Sequence, residues 1–300
     1  MKIFTARTLV EFVEIIDSLK PYEPSALWFR GQSVASYQLT PSALRNIHQS
    51  HDHLGNEIDD TAIRISSGGV FSGPNAEKML QEFKQLARPF LEQQPSNDFE
   101  WMFIAQHHGL PTRLLDWSTN ALVALYFAAQ GAPVRKGDGI AECERFKDDN
   151  LSDEGFAVFS IDPSKINEKT ILTAESIDIA SHAEHWDQYI NPMSKDTSTL
   201  PVCITAPHMT TRIRAQSGTF TLHGAQIPPL DYYSALQGLI TKIFIPYTST
   251  RSILASLAKL GINESFIYPG LDSIAKDIAK AANLRYAGTR RTRAAMRSTR

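Results

Sequence analysis

Cysteine is nearly missing from these 300 residues: Cys143 and Cys203 are the whole supply. Neither stands at a spacing used by metal modules, which excludes a disulfide scaffold and a thiol-ligated metal and favours a reducing cytoplasm. Long apolar runs are also absent. The stretch Ala121 to Ala129 falls well short of the roughly 18 residues a membrane crossing needs, and Met1-Lys2-Ile3-Phe4 with acids soon after has no signal-peptide pattern, so no membrane contact is expected. No glycine-rich dinucleotide fingerprint follows any strand pattern, and no internal repeat is visible.

What is present describes an ordinary folded protein, with 42% hydrophobic and 21% charged residues. Its charge is unevenly placed. From Arg285 onward six arginines occur with no acid, so a net of −2 overall leaves −8 on the first 284 residues. A tail of that kind reads as disordered, with nucleic acid as a partner through phosphate contacts.

Along the chain, Leu9 to Leu19 carries a helical stripe that ends before Pro21, and Ala26 to Phe29 reads as a short buried strand running into Arg30-Gly31-Gln32. Gly31 permits a sharp turn or a close backbone approach there. An arginine at the end of a buried strand requires an anion, either a ligand or a structural partner such as Asp116. Residues 49–73 read as a variable surface loop; His48, His51 and His53 lack metal-module spacing, so no metal is expected. A helix is predicted from Asn75 to Gln94. Residues 130–155 are rich in Gly and charge and read as a loop or lid. Phe156 to Ile161 reads as a strand, Ala174 to Asn191 as a helix, and Val202 to Ala206 as a strand. A helical turn through Arg212 and Arg214 to Gln216 leads to a strand at Thr219 to Leu222. Leu239 to Ile245 is a strand, followed by helices to Leu260 and from Leu271 to Ala282.

The centre of the chain is Gln106 to Ala129. A helix capped near Ser96-Asn97-Asp98 should end at His107 or His108, because Gly109 and Pro111 follow. A second helix should start near residue 119, with irregular chain between them. A histidine in a last helical turn is favoured in its protonated form by the macrodipole. Free N–H groups at the second helix, with Arg113 upstream, make Arg113 to Asn120 a predicted anion-binding corner. The competing reading makes Arg113 and Asp116 partners in a structural network.

Trp28-Phe29-Arg30-Gly31-Gln32, Gln106-His107-His108-Gly109-Leu110-Pro111-Thr112-Arg113-Leu114-Leu115-Asp116-Trp117 and Ala215-Gln216-Ser217-Gly218-Thr219-Phe220-Thr221 together resemble the signature blocks of the FRG domain family, across about residues 25–225. That family has no settled biochemistry; its context implies a phage-defence or toxin system. A second resemblance is to ADP-ribosyltransferases: Arg30, then Trp117-Ser118-Thr119 before Ala124-x-x-Phe127, then Gln216, follow the order of their motifs. This implies NAD as a cofactor, with Arg30 on its phosphates and Ser118 or Thr119 at the nicotinamide ribose. Gln216 stands where those enzymes carry a glutamate and cannot serve as a carboxylate.

The expected fold is α+β, a mixed or antiparallel sheet flanked by helices. Its expected parts are a packing helix in residues 1–24, an FRG core in 25–225, a strand and helices packing on it in 226–284, and the basic tail in 285–300. The expected site is a cleft for a nucleotide or another phosphate-bearing ligand. His107, Asp116 and Gln216 are the candidate catalytic groups. Arg30, Gln32, Gln106, Arg113, Ser118 and Thr119 are the candidate ligand contacts. The alternative is a non-catalytic nucleotide-sensing or protein-interaction module whose signature residues form a polar structural network.

Overall fold

The structure, a computed structural model, describes residues 1–20, 26–51, 54–57, 70–149, 152–179, 183–190, 200–205 and 211–298. The chain opens with β1 (Lys2–Thr5) and α1 (Leu9–Ser18), whose N-cap Thr8 accepts from the Glu11 N–H. Then come β2 (Trp28–Gln32), β3 (His48–His51), β4 (Val70–Ser72) and α2 (Ala76–Ala87), capped by Asn75. α2 stops earlier than Gln94 because Pro89 turns the chain into a single 3-10 turn. α3 (Asp98–His107) is capped by Asn97 and closed by Gly109 at φ +87°.

Residues Leu114–Ser118 form a strand, β5, where irregular chain was expected. Asn120 then starts α4 (Ala121–Gln130). Residues expected as a loop hold α5 (Gly139–Asp149), whose Phe146 ring stacks on Phe244 at 4.1 Å. This segment is therefore packed into the core rather than hung over it as a lid. β6 (Gly155–Ile161) leads to Asp162, which caps α6 (Pro163–Ile171). The helix expected over Ala174 to Asn191 is replaced by β7 (Ile177–Asp178) and a 3-10 segment, Ala183–Tyr189; part of that stretch, including His182, lies outside the described residues, as does His53.

β8 (Val202–Thr205), α7 (Thr211–Ala215), β9 (Gly218–Leu222), α8 (Ser234–Gln237), β10 (Ile240–Pro246), α9 (Thr250–Lys259) and α10 (Glu264–Ile267) follow. The last element, α11, runs unbroken over Leu271–Ser298. The basic tail expected from Arg285 begins within this helix. Arg, Ala and Met are strong helix formers, and no proline interrupts them.

Eight strands form one open sheet in the order β1-β10-β6-β2-β5-β9-β8-β7. Its inner pairs are antiparallel and its two edge pairs, β1 with β10 and β7 with β8, are parallel, so the fold is α+β on a mixed sheet. β10, expected to pack on the core, is an inner strand of its sheet. Alternation sorts the core: Phe156 and Val158 of β6 face α4 and α9, while Ala157, Phe159 and Ile161 face α5, α6 and α8. A third cluster joins α2 and α3 to Leu114, Phe220 and Leu222.

Two features position the site. Gly31 lies so close to α4 that an added Cβ would stand 2.0 Å from the Ala124 carbonyl oxygen. And β2 meets β5 at one register pair, Phe29 with Ser118, whereas it pairs with β6 through five. The sheet therefore opens beside Arg30 and Gln32. Among the described residues no helix is long and apolar enough to cross a membrane.

Candidate functional site

At that opening lies a cleft of about 580 Å³, within the range of small-ligand sites. β2 supplies its floor through Phe29 to Gln32, α3 supplies Phe103, Gln106 and His107, and β5 supplies Asp116 to Ser118. α4 adds Phe127, and the short α7 adds Arg212 with Gln216 just beyond it. Tyr37 and Arg45 close the remaining side.

The Arg30 guanidinium donates to the Asp116 carbonyl at 2.6 Å and lies 3.8 Å from its carboxylate, so the structural partner foreseen for it is present. That carboxylate remains mostly exposed, at 63%, and leaves Arg30 Nε without a partner. Burial pulls the Arg30 pKa down to about 10, Asp116 offsets part of this, and Arg45 adds to it; the group is charged at neutral pH. Gln106 Nε2 donates to Asp116 at 2.9 Å, while the Thr112 hydroxyl donates to Gln106 Oε1. Asp116 is thereby oriented from two sides.

His107 lies against His108, ring centroids 5.1 Å apart. Burial first, then Arg212 and His108, lower its pKa, the direction opposite to the one expected from the helix end. It stands in the cleft as a neutral ring, an acceptor as well as a donor. Arg212 is held with its guanidinium carbon 4.9 Å from the Tyr268 ring centroid, and Tyr268 in turn meets Phe127 edge-on at 6.1 Å. Gln216 Nε2 donates to the Ile267 carbonyl at 3.2 Å, and Gln32 Nε2 reaches the Gln38 carbonyl at 3.5 Å.

The structure thus brings together Arg30, Gln32, Gln106, His107, Asp116, Ser118 and Gln216. Arg113 and Thr119 are not among the lining residues. Arg113 is buried in another corner, where it donates to the Gly224 carbonyl at 2.8 Å and lies 3.5 Å from Glu77. Its burial lowers the pKa and Glu77 raises it again. The predicted anion-binding corner is otherwise occupied too. Asn120 Oδ1 accepts from the Leu122 and Val123 N–H groups, Ser118 Oγ donates to the Gln216 carbonyl at 2.6 Å, and the Thr119 N–H goes to the Ser217 carbonyl. A helix start that carries its own cap has few donors left for a phosphate.

Among the described residues, the arginines that face the cleft besides Arg30 are Arg45 and Arg212. Arg45 follows a 3-10 turn, Ser42–Leu44, and no motif or spacing marks it. Arg212 was legible as part of the turn leading to Gln216. The Ala-x-x-Phe pattern contained Phe127, though not its contact with Tyr268.

An α+β protein with a basic, aromatic-walled cleft at the opening of its sheet is what fold and site define. Residues 25–136 match the model of the FRG domain family, described simply as "FRG domain", and the chain carries that domain there. The match takes in β2 through α4 and with them Arg30, Arg45, His107 and Asp116; the third block, with Arg212 and Gln216, lies beyond it. No curated protein and no solved structure matches the chain.

Proposed function

We propose that the cleft binds a nucleotide, or another ligand joining an aromatic ring to phosphate. The supporting observation is the composition of its wall among the described residues: Arg30, Arg45 and Arg212 against one carboxylate, Asp116, with Tyr37, Phe103 and Phe127 beside them. Three guanidiniums around one anion exceed what Asp116 can neutralise, and they fork onto phosphate oxygens, while the aromatic faces accept a base or a nicotinamide ring. Arg30 and Arg45 hold the phosphates in this reading, and Arg212 closes over them from α7.

A second, catalytic reading is favoured by one observation: a neutral imidazole and an oriented, exposed carboxylate line the same cleft. With NAD bound, Asp116 takes the electrostatic role near a ribose that Gln216 cannot fill, and His107 accepts a proton from the incoming nucleophile. That reaction would be an ADP-ribosyl transfer, in keeping with an effector in a defence or toxin system.

Thermal unfolding of the full chain with NAD, ATP and inorganic phosphate tests both readings. A nucleotide at 100 times its dissociation constant should add about 2.7 kcal/mol of stability. Arg45→Gln and Arg212→Gln should each weaken binding about tenfold or more. Nicotinamide release that disappears in Asp116→Asn, with binding retained, supports the catalytic reading. No shift with any nucleotide overturns both.

A further inference from the structure

Outside the cleft, the Ser160 hydroxyl has nothing to bond. The residue is only 2% exposed, and its Oγ has no partner among the described residues. Buried polar groups are nearly always paired, and an unmade hydrogen bond is costly, so a lone hydroxyl marks a place that a ligand can complete. Ser160 lies in the floor of a second cavity, of about 430 Å³, which shares no lining residue with the cleft.

The sheet explains why polar groups gather there. Phe4 of β1, Ile243 of β10 and Val158 of β6 face the α4 and α9 side. Two residues along each strand, and so on the same face, come Lys2, Thr241 and Ser160. Register sets these three side by side, Lys2 opposite Thr241 and Thr241 opposite Ser160. A row of apolar residues is thus followed by a polar row where α1 ends, and Lys20 lines the cavity just past that end. Lys165, in the first turn of α6, lines it as well.

Among the described residues, three ammonium groups, Lys2, Lys20 and Lys165, share this cavity with one carboxylate, Asp162. That carboxylate is already engaged: it caps α6 by accepting from the Ser164 N–H at 3.1 Å, and it lies 3.6 Å from Lys165. Lys2 and Lys20 have no acid partner among the described residues. Because α1 ends and α6 begins at the cavity, their opposite end charges offset each other and leave the lysines to set its sign.

We infer that this cavity binds a phosphate dianion, as the free ion or as the phosphate end of a small organic ester. Ser160 donates its hydroxyl to one phosphate oxygen, and the three lysines supply the counter-charge. Three cations against one engaged carboxylate leave two positive charges, and a phosphomonoester carries about two negative ones at neutral pH. Ammonium groups act on phosphate as point charges and need no forked geometry. The volume lies in the range of small-ligand sites, so an ester has room for its organic part beside Leu27 and Leu239. This inference does not depend on what the cleft holds.

The test is isothermal titration of the full chain with glycerol phosphate and with inorganic phosphate, in the cleft variant R45Q/R212Q so that the cleft contributes little. Binding should persist in that variant and weaken about tenfold or more when K2Q/K20Q is added, at an unchanged melting temperature because both lysines are exposed. Ser160→Ala in the same background should weaken binding by a similar factor and, without phosphate, melt no lower than its parent, since it removes an unpaired hydroxyl. A serine that served only the fold would give the reverse, a lower melting temperature with unchanged affinity, and that result overturns the inference. So does loss of all phosphate binding in R45Q/R212Q, affinity unchanged by K2Q/K20Q, or equally tight binding of acetate at the same ionic strength. Tighter binding of glycerol phosphate marks an ester as the source and tighter binding of inorganic phosphate marks the free ion; either upholds the site.

Discussion

Arg30 and Arg113 are the same residue type, both belong to signature blocks of the FRG resemblance, and both donate to a backbone carbonyl, of Asp116 and Gly224 respectively. Their surroundings differ. The carboxylate facing Arg113 is Glu77, 17% exposed in a closed corner, whereas Arg30 faces an Asp116 that is 63% exposed at the edge of a cleft shared with two further arginines. A buried charge whose counter-ion is itself largely shielded is committed to the fold. A buried charge whose counter-ion is turned to solvent still has charge to offer a ligand. What separates Arg30 from Arg113 is mainly the exposure of the partner carboxylate.

The largest effect should come from breaking the structural member of the pair. Arg113→Met leaves the partly buried Glu77 and the buried Gly224 carbonyl without this donor and should cost about 3 kcal/mol in urea unfolding. A loss under 1 kcal/mol would erase the contrast. Next is Gly31→Ala, which must push β2 away from α4 and should cost about 1–3 kcal/mol, together with a loosened cleft. If it is neutral, β2 and α4 do not fix the Arg30 side as described.

His223 offers a pH handle on both arginines. Its ring is fully buried without a partner, and burial, then Arg113, then Arg30 lower its pKa from 6.5 to about 3. Above pH 6.5 neither state holds the proton, and stability is full. As pH falls below 6.5 the unfolded chain gains a proton that the folded ring refuses, so stability drops by about 1.4 kcal/mol per unit, or about 2 kcal/mol at pH 5. His223→Met should flatten that slope; an unchanged slope would place the acid sensitivity elsewhere. The smallest effect on folding belongs to Arg45→Gln, within about 0.5 kcal/mol because the residue is exposed. Its cost should appear in nucleotide affinity, and a variant that binds as wild type does would remove Arg45 from the site.

Much of this contrast was half-visible in the sequence. Periodicity and caps marked α1, α3, α4 and α9 and the strands β6, β9 and β10, because each is an uninterrupted apolar pattern with a stop signal. β5 was hidden: Leu-Leu-Asp-Trp-Ser is short and lies between two stronger helical patterns, and only its neighbours β2 and β9 make it a strand. Missing β5 left residues 113–120 as one irregular corner, and Arg113 was assigned to its anion because the next helix starts a few residues on. α5 was masked by the Gly and charge around it, although Cys143 and Phe146 lie one helical turn apart. Arg45 and Arg212 are far from each other in sequence and come to line one cleft only through the fold. Spacing along a chain does not report such convergence.

The most direct test of the central claim is the thermal unfolding of wild type, Arg30→Gln and Arg113→Met, each with and without saturating NAD. The account predicts that Arg113→Met melts lowest but keeps the full ligand-induced rise, while Arg30→Gln keeps more of its stability and loses the rise. A rise lost in Arg113→Met and preserved in Arg30→Gln, or absent from the wild type, would contradict it.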